Sequence, residues 1–191
     1  MRPRAVCFVL LSVAMLQTSA QTSEDLAQKF GEAEKRIVRL SPAAFPELPA
    51  EVVRELHGRG CTIPQSYPLT ERSNVIKGAF AKPGQTDWAV LCSTKSVSSV
   101  LVFWNGSENF AEIGPKADDR YYVGFMADGA PIYQRTIRTV GRKFIMDHYR
   151  AYGGPKPPPI DHEGIDDAFL EKASSVHYLY RNKWLSLQGA D

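Results

Sequence analysis

Apolar residues recur at offsets of four, three, four and three from Leu26 through Phe30, Ala33 and Ile37 to Leu40. That spacing lays one stripe along a helix over 24–40, with Ser23 as its cap and Ser41-Pro42 as its stop. A turn-rich stretch with Pro42, Pro46 and Pro49 follows, and Pro49 suits the first turn of a second helix. In that helix Val52, Val53 and Leu56 face inward, and Gly58 and Gly60 close it.

From Asn74 the period changes. Residues 74–81, 87–93 and 97–104 are rich in Val, Ile, Phe and Trp and predict three strands, with a fourth over 109–113. Asn105-Gly106 marks a tight turn. The runs Trp88–Cys92 and Val100–Trp104 are continuously apolar rather than alternating, so both strands should be covered on both faces. The two N-terminal helices are the expected cover for one of them. Residues 132–140 favour a strand, after which Gly141 leads either to a second strand through Phe144 and Ile145 or to a helix over 142–152. Gly153 to Pro159 is a stiff irregular loop, and the same stretch could serve as a Pro-rich ligand. Asp166 to Lys172 reads as a short helix with an acidic start, and a hairpin of 174–180 and 184–188 ends the chain. The pattern predicts an α+β fold, with N-terminal helices packed on a mostly antiparallel sheet of short strands.

The first twenty residues change the compartment. Arg2 and Arg4 precede a 12-residue apolar run, Ala5 to Leu16, and Thr18-Ser19-Ala20 supplies small residues before Gln21. Positive start, short apolar run and small-residue site predict a cleaved export signal; the run is too short to span a bilayer. The organisation expected is a signal over 1–20, a helical segment over 21–60 and a β-rich part over 61–191 of the same domain. The location expected is periplasmic or extracellular.

Cleavage removes Cys7 and leaves Cys61 and Cys92, which in an oxidising compartment predict one disulfide. Its loop would contribute about 3.5–4 kcal/mol by the chain-entropy argument. The alternatives are a buried Cys92 thiol, or Cys92 as a nucleophile beside one of the four His. Without Arg2 and Arg4 the 23 basic residues fall to 21, equal to the 21 acidic ones. A neutral chain lacks the basic excess of a dedicated nucleic-acid binder. The 43% hydrophobic content is that of an ordinary globular chain. No membrane span is expected after cleavage.

The strongest polar cluster is Asp161-His162-Glu163 followed by Asp166-Asp167, with His148 upstream. His162, Glu163, Asp166 and His148 are candidate acid–base residues, and Asp161, His162, Asp166 and Asp167 are candidate ligands for a divalent cation. The competing structural reading has Asp161 and Asp166 capping or starting a helix while His162 stays solvated. No His-Glu-x-x-His, EF-hand loop, Gly-x-Ser-x-Gly or phosphate-binding Gly loop is present, and beyond that cation no cofactor is expected. Among the aromatic residues, Tyr121 and Tyr122 stand apart as candidate binding residues because they follow the polar run Lys116 to Arg120.

Gly78-Ala79-Phe80, Gly84 and Asp87-Trp88-Ala89-Val90-Leu91 resemble a single FG-GAP or VCBS-like β unit over about residues 76–104. The resemblance implies a β unit without its calcium loop, since only Asp87 keeps the acidic character. The chain also resembles uncharacterised secreted bacterial proteins through Gly60-Cys61-Thr62-Ile63-Pro64-Gln65. With no strict catalytic motif, the leading expectation is an exported non-enzymatic binding or accessory protein with a protein or small-molecule partner outside the cytoplasm. One alternative is a hydrolase or metal-dependent enzyme using the Asp161–Asp167 cluster. Another is an inhibitor of an extracellular hydrolase, presenting the loop Gly153–Ile160 or Lys116–Tyr122.

Overall fold

The computed structural model describes residues 23–189, so the export signal lies outside the described residues. In chain order the elements are α1 (23–35), β1 (Arg39–Leu40), α2 (Ala50–Gly58), β2 (Ile63–Pro64), β3 (Val75–Gly78), β4 (Asp87–Thr94), β5 (Val97–Phe103) and β6 (Phe110–Ala117). There follow α3 (Asp118–Tyr121), β7 (Val123–Phe125), β8 (Pro131–Tyr133), β9 (Arg135–Val140), α4 (Arg142–Tyr152), β10 (Gly164–Phe169), β11 (Ala173–Tyr180) and β12 (Lys183–Gln188). Two antiparallel four-stranded sheets, ordered β3-β4-β5-β6 and β12-β11-β10-β9, carry the fold, with β1-β2 and β7-β8 as two-stranded additions.

The continuous apolar runs of β4 and β5 are buried on both faces. Ala89, Leu91, Val100 and Val102 meet Ile137 and Ile165 of the second sheet, together with Ala33 and Ile37. Val90, Cys92, Leu101 and Phe103 meet Val52 and Leu56 of α2, with Phe45 and Ile63. On the far side of the second sheet, Ile145 of α4 packs against Val140, Val176, Tyr178 and Leu187. The layers therefore run α2, first sheet, second sheet, α4.

This corrects the expected cover. The two N-terminal helices do not share one face: α2 takes the outside of the first sheet, while α1 contributes to the cluster between the sheets. Nor are the helices confined to the N-terminus, since α4 covers the second sheet. α1 stops at residue 35 rather than 40 because Arg39 and Leu40 pair with Pro64 and Ile63. Arg39 Nη1 then donates to the Glu34 carbonyl at 2.9 Å, satisfying a helix-end acceptor with a cation. Leu26, at the open end of α1, is 55% exposed, so the buried stripe begins only at Phe30.

α2 ends as its glycines suggest. Gly60 adopts φ +69°, its N–H donates to the His57 carbonyl, and Cys61 N–H reaches back to Leu56 O at 2.9 Å. That closure sets Cys61 beside β4, where it is disulfide-bonded to Cys92 with a Cα separation of 5.3 Å. Thr62 and Ser93 exchange backbone hydrogen bonds alongside it.

β3 is shorter than the expected 74–81 strand. Asn74 adopts φ +70°, and its buried amide reaches the second sheet by accepting from Ile137 N–H at 3.1 Å. Thr139 Oγ1 donates to Lys77 O at 2.9 Å, so β3 and β9 close one side of the sandwich. At Gly78 a Cβ would fall 2.9 Å from Thr139 Cγ2 and 2.7 Å from the Phe80 ring, so only glycine permits this approach. The strand expected over 132–140 is split into β8 and β9, which belong to different sheets, and after Gly141 the chain forms the helix α4 rather than a second strand through Phe144 and Ile145. The segment 166–172 is not a helix: Asp166 and Asp167 lie in β10, in register with β9 on one side and β11 on the other. Pairing with two neighbours outweighs the local acidic signal.

Two outcomes follow from this packing. Thiol titration of the mature protein, denatured without reductant, should find neither Cys61 nor Cys92 free; two reactive thiols would refute the staple. Leu56→Ala should lower unfolding stability in urea by about 2–5 kcal/mol, because the site lies between a helix and a sheet and cannot collapse. A loss under 1 kcal/mol would mean that α2 is not seated on the sheet as described.

Candidate functional site

Strand alternation divides the acidic cluster. In β10, Asp166 points toward α4 and Asp167 into the space between the sheets. Asp166 is buried, and its Oδ2 accepts from Arg138 Nε at 2.7 Å. The Glu163 carboxylate accepts the Ala79 N–H at 2.8 Å. His148 is buried on α4, its ring 4.8 Å from that of Tyr152. Asp161 and His162 do come together, lining a cavity of about 460 Å³ with Arg142, Tyr180 and Arg181. His162 Nδ1 lies 2.9 Å from the Glu163 carbonyl. A carbonyl only accepts, so this bond puts the proton on Nδ1. Among the described residues no group of three or more His, Cys, Asp or Glu is placed to hold a metal ion.

Asp87, the acidic position of the β-unit resemblance, has a packing role. Its buried carboxylate accepts from the backbone N–H groups of Phe80, Ala81 and Asn105 and from Gln85 Nε2. Four donors on one carboxylate tie the 80–87 turn to the end of β5.

Tyr121, Tyr122 and Asp167 are brought together elsewhere. With Lys116, Phe169, Ser174, Ser175 and Gln188 they line a cleft of about 450 Å³. Its location follows from the sheets: β6 and α3 form one wall, and β10, β11 and β12 the other. Asp167, Ser175 and Gln188 stand in one cross-strand row, with His177 and Ser186 in the next. On the opposite face of the same strands, Val176, Tyr178 and Leu187 pack under α4. The Ser175 hydroxyl donates to Gln188 Oε1 at 2.7 Å, and Gln188 Nε2 donates to Ser186 Oγ at 2.9 Å, so the amide is oriented from both ends. Tyr121 is 53% exposed, its ring 6.3 Å from that of Tyr122. Lys116–Tyr122 is therefore not a free loop: it is the end of β6 and the turn of α3, anchored by buried Asp118.

Beneath the cleft lies a residue that motif reading misses. Arg135, its side chain 1% exposed, donates through Nε to Asp167 Oδ1 at 2.8 Å and through Nη2 to Oδ2 at 2.7 Å. Nη1 donates to the Ser98 carbonyl at 2.8 Å and to Ser98 Oγ at 3.0 Å, and Nη2 to Gly114 O at 3.2 Å. All five guanidinium N–H groups are thus used. The Gly114 carbonyl is presented by a bulge, where β6 carries one residue more than β5 and Gly114 adopts φ +57°. The Tyr122 ring covers the guanidinium at 4.8 Å. From Ser98 the chain of contacts continues to the Tyr133 hydroxyl, which donates to Asp118 Oδ1 at 3.0 Å, and Ser93 and Arg39 hold Asp118 Oδ2. The sequence did carry one signal: Arg135 falls between the buried Tyr133 and Ile137 in an alternating stretch that spans β8 and β9.

Burial alone would raise the Asp167 pKa, but the Arg135 hydrogen bonds, His177 and the guanidinium charge outweigh it and hold the carboxyl well below the usual range. Burial likewise opposes the Arg135 charge, and Asp167 restores it, keeping the guanidinium protonated. Burial pushes the Tyr122 hydroxyl up to about 12 against the opposing pull of Arg135, so it stays neutral and able to donate. The cleft floor therefore offers a fixed carboxylate acceptor, and its walls offer hydroxyl, amide and aromatic groups.

No protein-family model, curated protein or solved structure matches this chain.

Replacing Arg135 with Met should cost about 3–5 kcal/mol in chemical denaturation, since it strands a buried carboxylate; a change below 1 kcal/mol would contradict the network. Asp167 has a folded pKa below its unfolded value near 4, so its contribution is complete above pH about 4 and drains as pH falls further. Between pH 5 and 3 the thermal midpoint of the wild type should drop more steeply than that of Asp167→Asn. Parallel curves would show that this carboxyl is not held as described.

Proposed function

We propose that this chain is an exported, non-enzymatic binding protein whose ligand occupies the cleft between β6, α3 and β10–β12. One observation carries the reading. The inter-sheet space, filled elsewhere by Leu91, Val100, Ile137 and Ile165, is open at this edge and lined with oriented polar side chains and an exposed tyrosine. Such a mixture of a few placed polar groups and aromatic surface in a concavity is the chemistry of a small-ligand site, and its volume falls in the usual range of about 300–1,000 Å³. The rigid Arg135–Asp167 floor adds preorganisation, which lowers the ordering cost of binding.

The enzymatic alternative needs at least three of Asp161, His162, Glu163, Asp166 and His148 in one pocket. Only Asp161 and His162 share one. Export is supported by the disulfide and by the N-terminal pattern, and no helix among the described residues is long and apolar enough to cross a membrane.

The test is an amide-resolved NMR screen of the mature protein against small polar probes: amino acids, nucleosides, short-chain acids and oligosaccharides. Shifts should concentrate in residues 116–122, 167–175 and 186–189. Shifts confined to the Asp161–His162 cavity, or hydrolysis of an ester, peptide or glycan that His162→Ala abolishes, would overturn the reading. N-terminal sequencing of the exported protein should find a start near Gln21.

A further inference from the structure

The composition of the cleft narrows its ligand, and we infer that the ligand is a neutral saccharide whose ring lies on Tyr121 and whose hydroxyls are read by Asp167, Ser175 and Gln188. This rests on the reading of the cleft as a ligand site. No Leu, Ile, Val or Met lines the cleft; its apolar surface comes from the rings of Tyr121, Tyr122 and Phe169 and from Ala173, interleaved with Asp167, Ser175 and Gln188, so an aliphatic chain would also have to desolvate polar groups. An anion such as phosphate or sulfate would look to Arg135, but every N–H of that guanidinium is already donated to Asp167, Ser98 and Gly114. Lys116 alone, exposed at the rim, is a weak substitute. A cation would look to Asp167, whose charge is matched by Arg135 at its back and opposed by Lys116 at the mouth.

What remains unspent is hydrogen-bonding capacity without net charge. A carboxylate has about four lone-pair positions, and Arg135 occupies two of those on Asp167. With His177 also turned to Oδ2, the position left on Oδ1 can accept from a hydroxyl at a point fixed by the guanidinium. Ser175, whose one O–H is given to Gln188, keeps lone pairs with which to accept. Gln188, held between Ser175 and Ser186, keeps one amide N–H and one carbonyl lone pair available. His177, with Nε2 3.7 Å from Asp167 Oδ2, extends the polar row along β11. Each hydroxyl of a sugar donates and accepts at once, so it suits a row in which both roles alternate over a few ångströms. Its ring also has a face of C–H groups, and the half-exposed Tyr121 ring supplies the matching apolar plane once the Lys116 ammonium, 5.7 Å from its centroid, swings aside.

The experiment titrates the mature protein with cello-, malto- and N-acetylchito-oligosaccharides, following amide shifts by NMR and heat by calorimetry. At least one class should bind, with shifts in β10–β12 and at Tyr121. Tyr121→Ala should weaken that binding about tenfold, the loss of one aromatic contact, whereas Tyr121→Phe should hold it near wild type. Ser175→Ala, on a partly exposed position, should weaken it without altering the thermal midpoint. If amino acids, nucleosides or short-chain acids shift the cleft while no oligosaccharide does, the saccharide assignment fails and the cleft remains a binding site. If no probe of any class shifts the cleft residues, both readings fail together. Equal affinity of wild type and Tyr121→Ala for a bound oligosaccharide would overturn the assignment of the stacking face.

Discussion

Arg135 takes a full positive charge into the interior between two β-sheets. Left unpaired there, a guanidinium would cost several kcal/mol, and removing its desolvation penalty requires both a counter-charge and a partner for every N–H. Asp167 supplies the charge from β10, while Ser98 and Gly114 supply acceptors from β5 and β6. Those partners belong to opposite sheets, so satisfying one side chain fixes the spacing of the two layers and their relative register at this end. The bulge in β6 then has a physical purpose, because it turns the Gly114 carbonyl toward the guanidinium.

That constraint makes the two edges of the sandwich unlike. On the β3–β9 side, Asn74 and Thr139 stitch the sheets together and apolar side chains fill the space. At the cleft the sheets are propped by the polar core, and β10 and β11 turn Asp167, Ser175 and His177 to the face where a sandwich ordinarily places apolar residues, with Ser186 and Gln188 exposed beside them on β12. Such an inner face is tolerable only where water or a ligand can reach it. The cleft and the buried network are therefore one arrangement, rigid at its floor and solvated at its rim.

Much of this architecture can be read from local pattern. The unbroken apolar runs of β4 and β5 demand cover on both sides, and both covers exist. Gly60 and Cys61 foretell where α2 ends and what it is stapled to. Two features escaped for the same reason. Asp166 and Asp167 are neighbours in sequence and look like a helix start, but strand alternation sends them to opposite faces, each to its own arginine. Arg135 is one of 23 basic residues, and its partners Ser98, Asp167 and Gly114 lie 37, 32 and 21 positions away. No window of sequence contains them together. Tyr121 and Tyr122 were legible as unusual because two aromatic rings follow a charged run, whereas the polar inner face of β11 and β12 becomes meaningful only once the second sheet is known to pack against the first.

Arg135 is held by five simultaneous hydrogen bonds inside the folded protein. Nitrogen-15 NMR of its guanidinium near pH 8 tests this directly, because a free arginine rotates and exchanges its protons rapidly with water. Distinct, exchange-protected Nε and Nη proton signals are expected for Arg135 in the native state. A single averaged Nη signal exchanging at the rate of free arginine would contradict it.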